Sequence, residues 1–188
     1  MRYLIASKLA LLAAASLITT DLKAGEFADH VNELPEGPAI TQADVEKAQK
    51  AWGDAVVAIG KAGDDAAKVA KKAAKSAYAF EIGPIQFKPT LASEQPFRPD
   101  LEGTLSYFVA GNVKFAEDSG FALRPWSNVR FDNHTVNMQG NIAIAMGHYF
   151  FTGPDGTETK VEYTKGYVKT DDDRVLIFLQ DSSLPYQG

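Results

Sequence analysis

The stretch from Gln180 to Ser183 places four polar side chains directly after five consecutive apolar residues. A carboxylate and two hydroxyls in a row could supply a base and hydrogen-bond donors to a small substrate. Because side chains alternate along a strand, Asp181 and Ser183 share one face, and Gln180 and Ser182 share the other. We expect such a cluster at the mouth of a cavity or at the rim of a sheet. The alternative is a core strand that ends in a serine-rich turn with no site.

Histidine is the other residue type that could act as a base near neutral pH. His148 lies in the segment Asn141 to Phe151, whose alternation predicts a strand with Ile144 and Met146 on the same face as the histidine. It is a second candidate base if the sheet brings it near Asp181. Otherwise it is a core residue among apolar neighbours.

Composition narrows the classes of function. The 188-residue chain has no cysteine, which excludes disulfides and thiolate metal sites, and no two of its three histidines lie close together in sequence. We therefore predict no metal site and no cofactor. A formal net charge of -5 argues against a nucleic-acid partner. A hydrophobic fraction of 45% is enough for the core of one domain.

The first 24 residues have the composition of a secretory signal peptide. Arg2 and Lys8 are positive, residues 9–18 form an apolar run too short to span a bilayer, and Ala24 is a small residue at the expected cleavage point. We predict cleavage after Ala24 and a periplasmic or secreted protein that is not attached to a membrane. An uncleaved membrane anchor is the alternative. Residues 25–40 predict a flexible linker, and residues 41–188 a single domain.

Two amphipathic helices are predicted at the start of this domain. Thr41 and Asp44 form a variant of the capping box, and apolar residues recur at helical spacing up to about Gly60. A second helix is predicted from residues 64–65 to about residue 80. Its four lysines are interpreted as a solvated face.

Strands and turns follow, so the order of elements is that of an α+β protein. The sequence predicts a short strand at residues 85–90, a helical turn at 101–109, a short strand at 112–116, and long strands at 126–136, 141–151, 157–169 and 174–186. Tight turns join the long strands, which predicts a curved antiparallel sheet packed against the N-terminal helices. The cavity between helices and sheet is the expected ligand site.

Eight short motifs follow one another through the domain. They are F-K-P-T (87–90), F-R (97–98), Y-F-V (107–109), E-D-S-G-F-A (117–122), P-W-x-x-V-R-F (125–131), A-M-G-x-Y (145–149), V-E-Y-T-x-G-Y (161–167) and S-S-L-P-Y (182–186). This ordered set resembles the iota-class carbonic anhydrases over residues 41–186. The resemblance implies the cone-shaped fold of SnoaL-like and nuclear-transport-factor-two-like proteins.

The resemblance also implies an activity, which is the reversible hydration of carbon dioxide to bicarbonate in the cavity of the cone, and a homodimer. Members of the family have been described with zinc and without any metal. In the metal-free form, hydroxyl side chains hold the substrate. By motif, these hydroxyls are those of Thr90, Tyr107 and Ser183. We also predict that His148, Ser182 and Arg98 are secondary substrate contacts.

One departure from the family concerns the residues before the paired serines, where histidines are typical and this chain has Gln180 and Asp181. The change removes the obvious base and metal ligand, so Asp181 becomes the candidate base and His148 the second. Ionised Asp181 would repel bicarbonate by roughly 4 kcal/mol at a separation of about 4 Å. We therefore expect it to have a cationic partner, Arg98 or Arg124, or to be protonated when bicarbonate binds.

Two alternatives to a metal-independent carbonic anhydrase remain open at this point. The domain could bind a small anion or acid without catalysis, in which case Asp181 marks lost activity. It could instead be an isomerase or dehydratase of the same fold that uses Asp181 and His148 for acid–base chemistry. Carbon dioxide hydration by chelator-treated protein separates the first of these from the carbonic anhydrase.

Overall fold

The computed structural model describes residues 33–188, so the predicted signal peptide and half of the predicted linker lie outside the described residues. The elements are α1 (Gln42–Lys61), α2 (Ala66–Ala77), β1 (Gln86–Lys88), α3 (Leu101–Val109), β2 (Asn128–Gln139), β3 (Ile142–Thr152), β4 (Glu158–Lys169) and β5 (Val175–Ser183). The α+β prediction is confirmed. Within this described part, no helix has both the length and the apolar character needed to cross a bilayer.

The five strands form one sheet in the order β1-β5-β4-β3-β2. Neighbours from β2 to β5 pair antiparallel, as expected for strands joined by tight turns. Strand β1 pairs with β5 in parallel, so the prediction of a purely antiparallel sheet was wrong at this edge. The parallel pairing is possible because more than half of the domain lies between the two strands along the chain, enough for the crossover that parallel strands need. It aligns Lys88 with Asp181.

Helix α1 lies on one face of the sheet, which we call the inner face. Its predicted capping box is present, because Thr41 Oγ1 accepts from the Asp44 amide at 3.2 Å and Asp44 accepts from the Thr41 amide at 2.9 Å. Trp52 projects from the buried stripe of the helix and stacks on Tyr149 of β3, with ring centroids 5.7 Å apart. Burial of this stripe supplies the main hydrophobic contact between helix and sheet.

The two faces of β3 differ from what its pattern suggested. The inner face carries Ala143, Ala145 and Tyr149, all buried, whereas the opposite, outer face carries Ile144 and Met146 with exposures of 44% and 50%. The helices therefore cover the face with small and aromatic residues. Since His148 shares the outer face, its interpretation as a core residue was wrong.

A short 3₁₀ turn, Val113–Phe115, replaces the strand that the sequence predicted at residues 112–116. The Asn112 side chain accepts from the Lys114 amide at 3.0 Å and so initiates a turn rather than an extended strand. The prediction that residues 101–109 are helical is confirmed, and Asp100 caps this helix, α3, by accepting from the Gly103 amide at 2.8 Å.

Arg98 is fully buried and does not face a substrate site. Its guanidinium pairs with Asp118 at 2.8 Å and with Glu117 at 3.1 Å, and lies over the Phe115 ring. Glu117 in turn accepts from three consecutive backbone amides, at Ser93, Glu94 and Gln95. The expected roles of Arg98 in substrate binding and as the partner of Asp181 were therefore wrong. The cluster of Arg98, Glu117 and Asp118 instead stabilises the loop that follows β1.

Candidate active site

A β-bulge in β5 decides which of its polar side chains face inward. The register passes from Tyr167 opposite Ile177 to Gly166 opposite Leu179, so Phe178 is an extra residue on β5. Because of it, Gln180 and Ser182 lie on the same inner face as Ile177. Both are 3% exposed.

Four hydroxyl groups converge at this end of the inner face, and we call them the hydroxyl cradle: Thr90, Tyr107, Tyr149 and Ser182. The hydroxyl of Thr90 donates to Ser182 Oγ at 2.9 Å. Tyr149 hydrogen-bonds with both of them, and Tyr107 with Thr90. Only Thr90 is half-buried, so the cradle reaches the surface beside this residue, while the other three members are buried.

Four elements position the cradle, and one of them is β3, which carries Tyr149. Thr90 follows β1 and turns back toward the end of β5, and Ser182 is the next inward residue of β5 after Gln180. Tyr107 projects from α3, where its ring packs edge-on against Phe87 and stacks on Phe121 at a centroid distance of 5.5 Å. Rigid aromatic packing therefore fixes the phenol oxygen beside Thr90.

Both tyrosines of the cradle keep their protons at neutral pH. Burial raises the pKa of Tyr149 to about 12, although hydrogen bonds with Ser182, Gln180 and Thr90 lower it in part. Burial also raises the pKa of Tyr107 above its ordinary value, and the backbone of Leu91 opposes this by a hydrogen bond. The cradle is thus a set of neutral hydroxyls in a largely desolvated part of the domain.

The other predicted site residues, Asp181, Ser183 and His148, lie on the outer face. They line a groove of about 450 Å³ together with Lys88 and Glu162. The expectation that Ser183 shares a cavity with Thr90 was wrong, because the bulge at Phe178 turns Ser182 inward in its place. The structure does bring Asp181 and His148 to one groove, away from Thr90 and Tyr107.

The cation beside Asp181 is Lys88, whose Nζ lies 3.0 Å from the carboxylate, and neither of the two predicted arginines takes this place. The side chains of Lys88 and Asp181 are 40% and 58% exposed, so this is a surface ion pair of little energetic weight. Arg124 lies near Tyr107, where its charge lowers the pKa of the phenol slightly. Among residues 33–188, no three histidine, aspartate or glutamate side chains are grouped as a metal ion would require.

Tyr149 and Gln180 were not assigned to the site from the sequence. Tyr149 ends the A-M-G-x-Y motif, in which only the tyrosine carries a functional group on the inner face, and that position was the available signal. Gln180 was noted only as a replacement for a histidine. Its burial among Tyr78 and Tyr149 depends on the bulge, which strand periodicity does not show.

The fold and the cradle define an α+β protein that presents neutral hydroxyls to a small ligand at the end of its sheet. The sequence model of the family described as metal-independent carbonic anhydrase matches residues 43–184. The chain is also 41% identical over 155 residues to the metal-independent carbonic anhydrase of Nostoc sp. (strain PCC 7120 / SAG 25.82 / UTEX 2576), covering 79% of this chain and 76% of the relative. The chain therefore belongs to the metal-independent carbonic anhydrases.

Two solved structures are similar to this one. The crystal structure of the iota-carbonic anhydrase from a cyanobacterium, complexed with bicarbonate, matches with a TM-score of 0.78 and 39% identity over 84% of this chain and 100% of that chain. A calcium/calmodulin-dependent protein kinase II association domain from Xanthomonas campestris matches with a TM-score of 0.52 at 21% identity, over 83% of this chain and 100% of that chain. The second likeness shows the fold alone.

Proposed function

We propose that the hydroxyl cradle is the place where this chain hydrates carbon dioxide, the reaction of the family to which it belongs. The observation that carries the proposal is the convergence of Thr90, Tyr107, Tyr149 and Ser182 at one buried point. The relative whose structure contains bicarbonate has the same fold at 39% identity, which supports bicarbonate as the product bound here.

The cradle can stabilise the charge that develops during hydration. Water attacks the carbon of carbon dioxide, one C=O π bond breaks, and negative charge grows on the substrate oxygens as the water loses a proton. Hydroxyl donors aimed at these oxygens in a desolvated site strengthen as the charge grows, which lowers the barrier. Neutral donors also avoid holding the bicarbonate product as firmly as a buried cation would, so release stays fast.

The proton must leave the cradle, because none of its four members accepts a proton near neutral pH. The candidate bases Asp181 and His148 lie on the other side of the sheet, so they are not in position to take the proton from the attacking water directly. We infer that the proton passes through hydroxyls or water at the Thr90 opening to solvent and buffer.

The experiment that tests this function is stopped-flow carbon dioxide hydration by chelator-treated protein. We expect a rate above that of buffer alone and a loss of at least about tenfold in Thr90→Val, which keeps the shape of the side chain and removes its hydroxyl. Hydration no faster than buffer would favour the non-catalytic binding domain. Full activity in Thr90→Val would place the reaction outside the cradle.

We also propose that the outer face of the sheet forms a homodimer interface. Ile144 and Met146 are exposed side by side on this face of β3, with exposures of 44% and 50%. The surrounding charges have both signs, as in the pair of Arg130 and Glu158 at 3.2 Å, so a second copy can match them by two-fold symmetry.

The oligomeric state in solution tests this interface. Met146→Glu should convert a dimer to a monomer in light scattering, because it buries an unpaired charge at the contact. Val113→Glu is the matched control, since Val113 is a 93% exposed apolar residue in a different part of the domain. A wild-type monomer, or a dimer that survives Met146→Glu, would contradict the proposal.

Export through the predicted signal peptide remains a proposal about residues outside the described part of the chain. The mass of the protein purified from the periplasm or medium of an expressing bacterium should correspond to cleavage after Ala24. Protein found only in the cytoplasm at full mass would contradict it.

A further inference from the structure

A chain of buried hydrogen bonds leads from helix α1 into the hydroxyl cradle. Trp52 Nε1 donates to the Tyr78 hydroxyl at 2.9 Å, and the Tyr78 hydroxyl donates to Gln180 Oε1 at 2.7 Å. Gln180 then hydrogen-bonds with Tyr149, which bonds with Ser182 and Thr90. The exposures of Trp52, Tyr78 and Gln180 are 3%, 1% and 3%, so solvent does not compete for these bonds.

The direction of every bond in this chain follows from its first member. An indole N–H can only donate, so the Tyr78 oxygen must accept from Trp52 and its single hydrogen points to Gln180. The carbonyl oxygen of Gln180 is thereby occupied, which leaves its amide N–H groups facing Tyr149. Reversing the amide would set N–H groups against the Tyr78 hydrogen and leave that hydrogen without an acceptor in a buried place.

The polarity continues into the cradle. The Tyr149 oxygen accepts from the Gln180 amide, so its own hydrogen is directed to Ser182 or Thr90. Thr90 donates to Ser182 Oγ. The hydrogen of the Ser182 hydroxyl is then the one left to point at a substrate oxygen. Because burial raises the pKa of both Tyr78 and Tyr149, no proton is lost from the chain at neutral pH to reverse its direction.

A backbone hydrogen bond also fixes the position of this series of side-chain hydrogen bonds. After α2, the backbone runs beside β5, and the Ala79 amide donates to the Ile177 carbonyl at 3.0 Å. This bridge fixes Tyr78 against the same strand that carries Gln180. The segment after α2 and strand β5, which are far apart in sequence, are therefore held together at the side chain of Gln180.

We propose that Gln180, held by Tyr78 and Trp52, is a positioning residue. It directs the hydroxyl hydrogen of Tyr149 into the cradle and so leaves the Ser182 hydrogen to point at the substrate. The proposal deepens the proposed function and rests on it. Gln180 does not touch the reacting atoms. It acts by fixing which way the cradle donates.

A Gln180→Glu variant gives a readout that a purely structural role would not produce. While the introduced carboxyl is protonated, its carbonyl accepts from Tyr78 and its O–H donates to Tyr149, so the polarity is preserved. Once ionised, it can only accept, and it draws the Tyr149 hydrogen away from Ser182 and Thr90. Burial raises the pKa of such a carboxyl toward neutrality.

The experiment measures the ratio of variant to wild-type kcat for carbon dioxide hydration from acidic to alkaline pH. For Gln180→Glu we expect a ratio that falls by about tenfold as pH rises. For Gln180→Met, which has no donor, we expect a ratio lower by about tenfold at every pH, with KM for carbon dioxide changed less than about twofold. Tyr78→Phe should also lower the ratio of variant to wild-type kcat, as Gln180→Met does.

Tyr167→Phe is the matched control, because Tyr167 is an equally buried tyrosine of the inner face outside this chain of bonds. Its ratio should stay near one at all pH values, and near-ultraviolet circular dichroism should show every variant folded at the assay temperature. A Gln180→Glu ratio independent of pH, or a Gln180→Met variant with wild-type kcat, would overturn the positioning role while wild-type activity upholds the proposed function. A wild-type rate equal to buffer alone would overturn both.

Discussion

Thr90 and Ser182 connect the loop after β1 to the end of β5 through a hydroxyl–hydroxyl hydrogen bond of 2.9 Å. The two residues are 92 positions apart, and they meet only because β1 pairs with β5 in parallel and because the bulge turns Ser182 inward. Thr90 donates in this contact, so the Ser182 hydrogen remains free to donate to a substrate oxygen.

The adjacent serines offer a matched pair of variants. Ser182→Ala removes a donor from the cradle and should lower kcat/KM at least about a hundredfold. Ser183→Ala changes an exposed residue of the outer face and should leave activity within about twofold. Stopped-flow hydration assays of both variants check this. The reverse order of effects would move the site to the outer groove.

Asp181 should contribute little to turnover. Its carboxylate points away from the cradle and pairs with Lys88 at the surface. We expect Asp181→Asn to retain wild-type kcat and to change the free energy of unfolding by less than about 1 kcal/mol. A loss of kcat comparable to that of Thr90→Val, measured in the same assay, would restore Asp181 as the base.

Turnover should depend on buffer. Since the cradle holds no group that binds a proton near neutral pH, each reaction cycle has to deliver one proton to solvent or buffer. We expect kcat to rise with imidazole concentration at constant pH and ionic strength until chemistry becomes limiting. Hydration rates at several buffer concentrations test this, and a kcat that does not change with buffer would point to an internal base.

Much of the fold could be predicted from local pattern. The capping box at Thr41 and the spacing of apolar residues located α1, and tight turns located β2 to β4, because these signals depend only on neighbours in sequence. The choice between Ser182 and Ser183 could not be made by strand alternation, which a single bulged residue reverses. Gly166 was the available hint: a side chain there would lie 2.6 Å from the Phe178 ring, and glycine inside a strand often marks a bulge.

The parallel pairing of β1 with β5 could not be predicted from the sequence, for a different reason. Its three residues carry too little pattern to choose a partner, and the partner lies at the other end of the domain. The cradle depends on this long-range contact, since Thr90 directly follows β1. The family motifs therefore indicated Thr90 and Tyr107 as site residues. Only the structure shows that Tyr149 and Gln180 lie beside them.

The cluster around Arg98 should make stability fall in acid. Hydrogen bonds from the backbone amides of Ser93, Glu94 and Gln95 lower the pKa of Glu117 to about 2. The contribution is fully present above the unfolded pKa of about 4.3 and is lost as pH falls toward 2. Glu117→Gln should destabilise the protein at pH 7 and flatten this acid dependence. Urea unfolding at pH 7 and pH 3 measures both effects, and an unchanged acid slope in the variant would assign the dependence to other carboxylates.

Lys165 should destabilise the folded protein at neutral pH. Its amino group is fully buried without a hydrogen-bond partner in the described part of the chain, and lies 3.5 Å from the centroid of the Trp52 ring. Burial lowers its pKa well below the ordinary value. Between that lowered pKa and about 10.4, the unfolded chain binds a proton that the folded chain does not, so stability rises with pH across this window.

A Lys165→Met variant tests this directly, because methionine keeps the apolar stem and removes the amine. We expect the free energy of unfolding at pH 7 to increase by about 1–3 kcal/mol and its rise toward alkaline pH to become smaller. Lys160→Met on the exposed part of the same strand is the control and should change neither quantity. If Lys165→Met instead lowers stability at pH 7, the aromatic rings around the amine stabilise it as a cation by more than its burial costs.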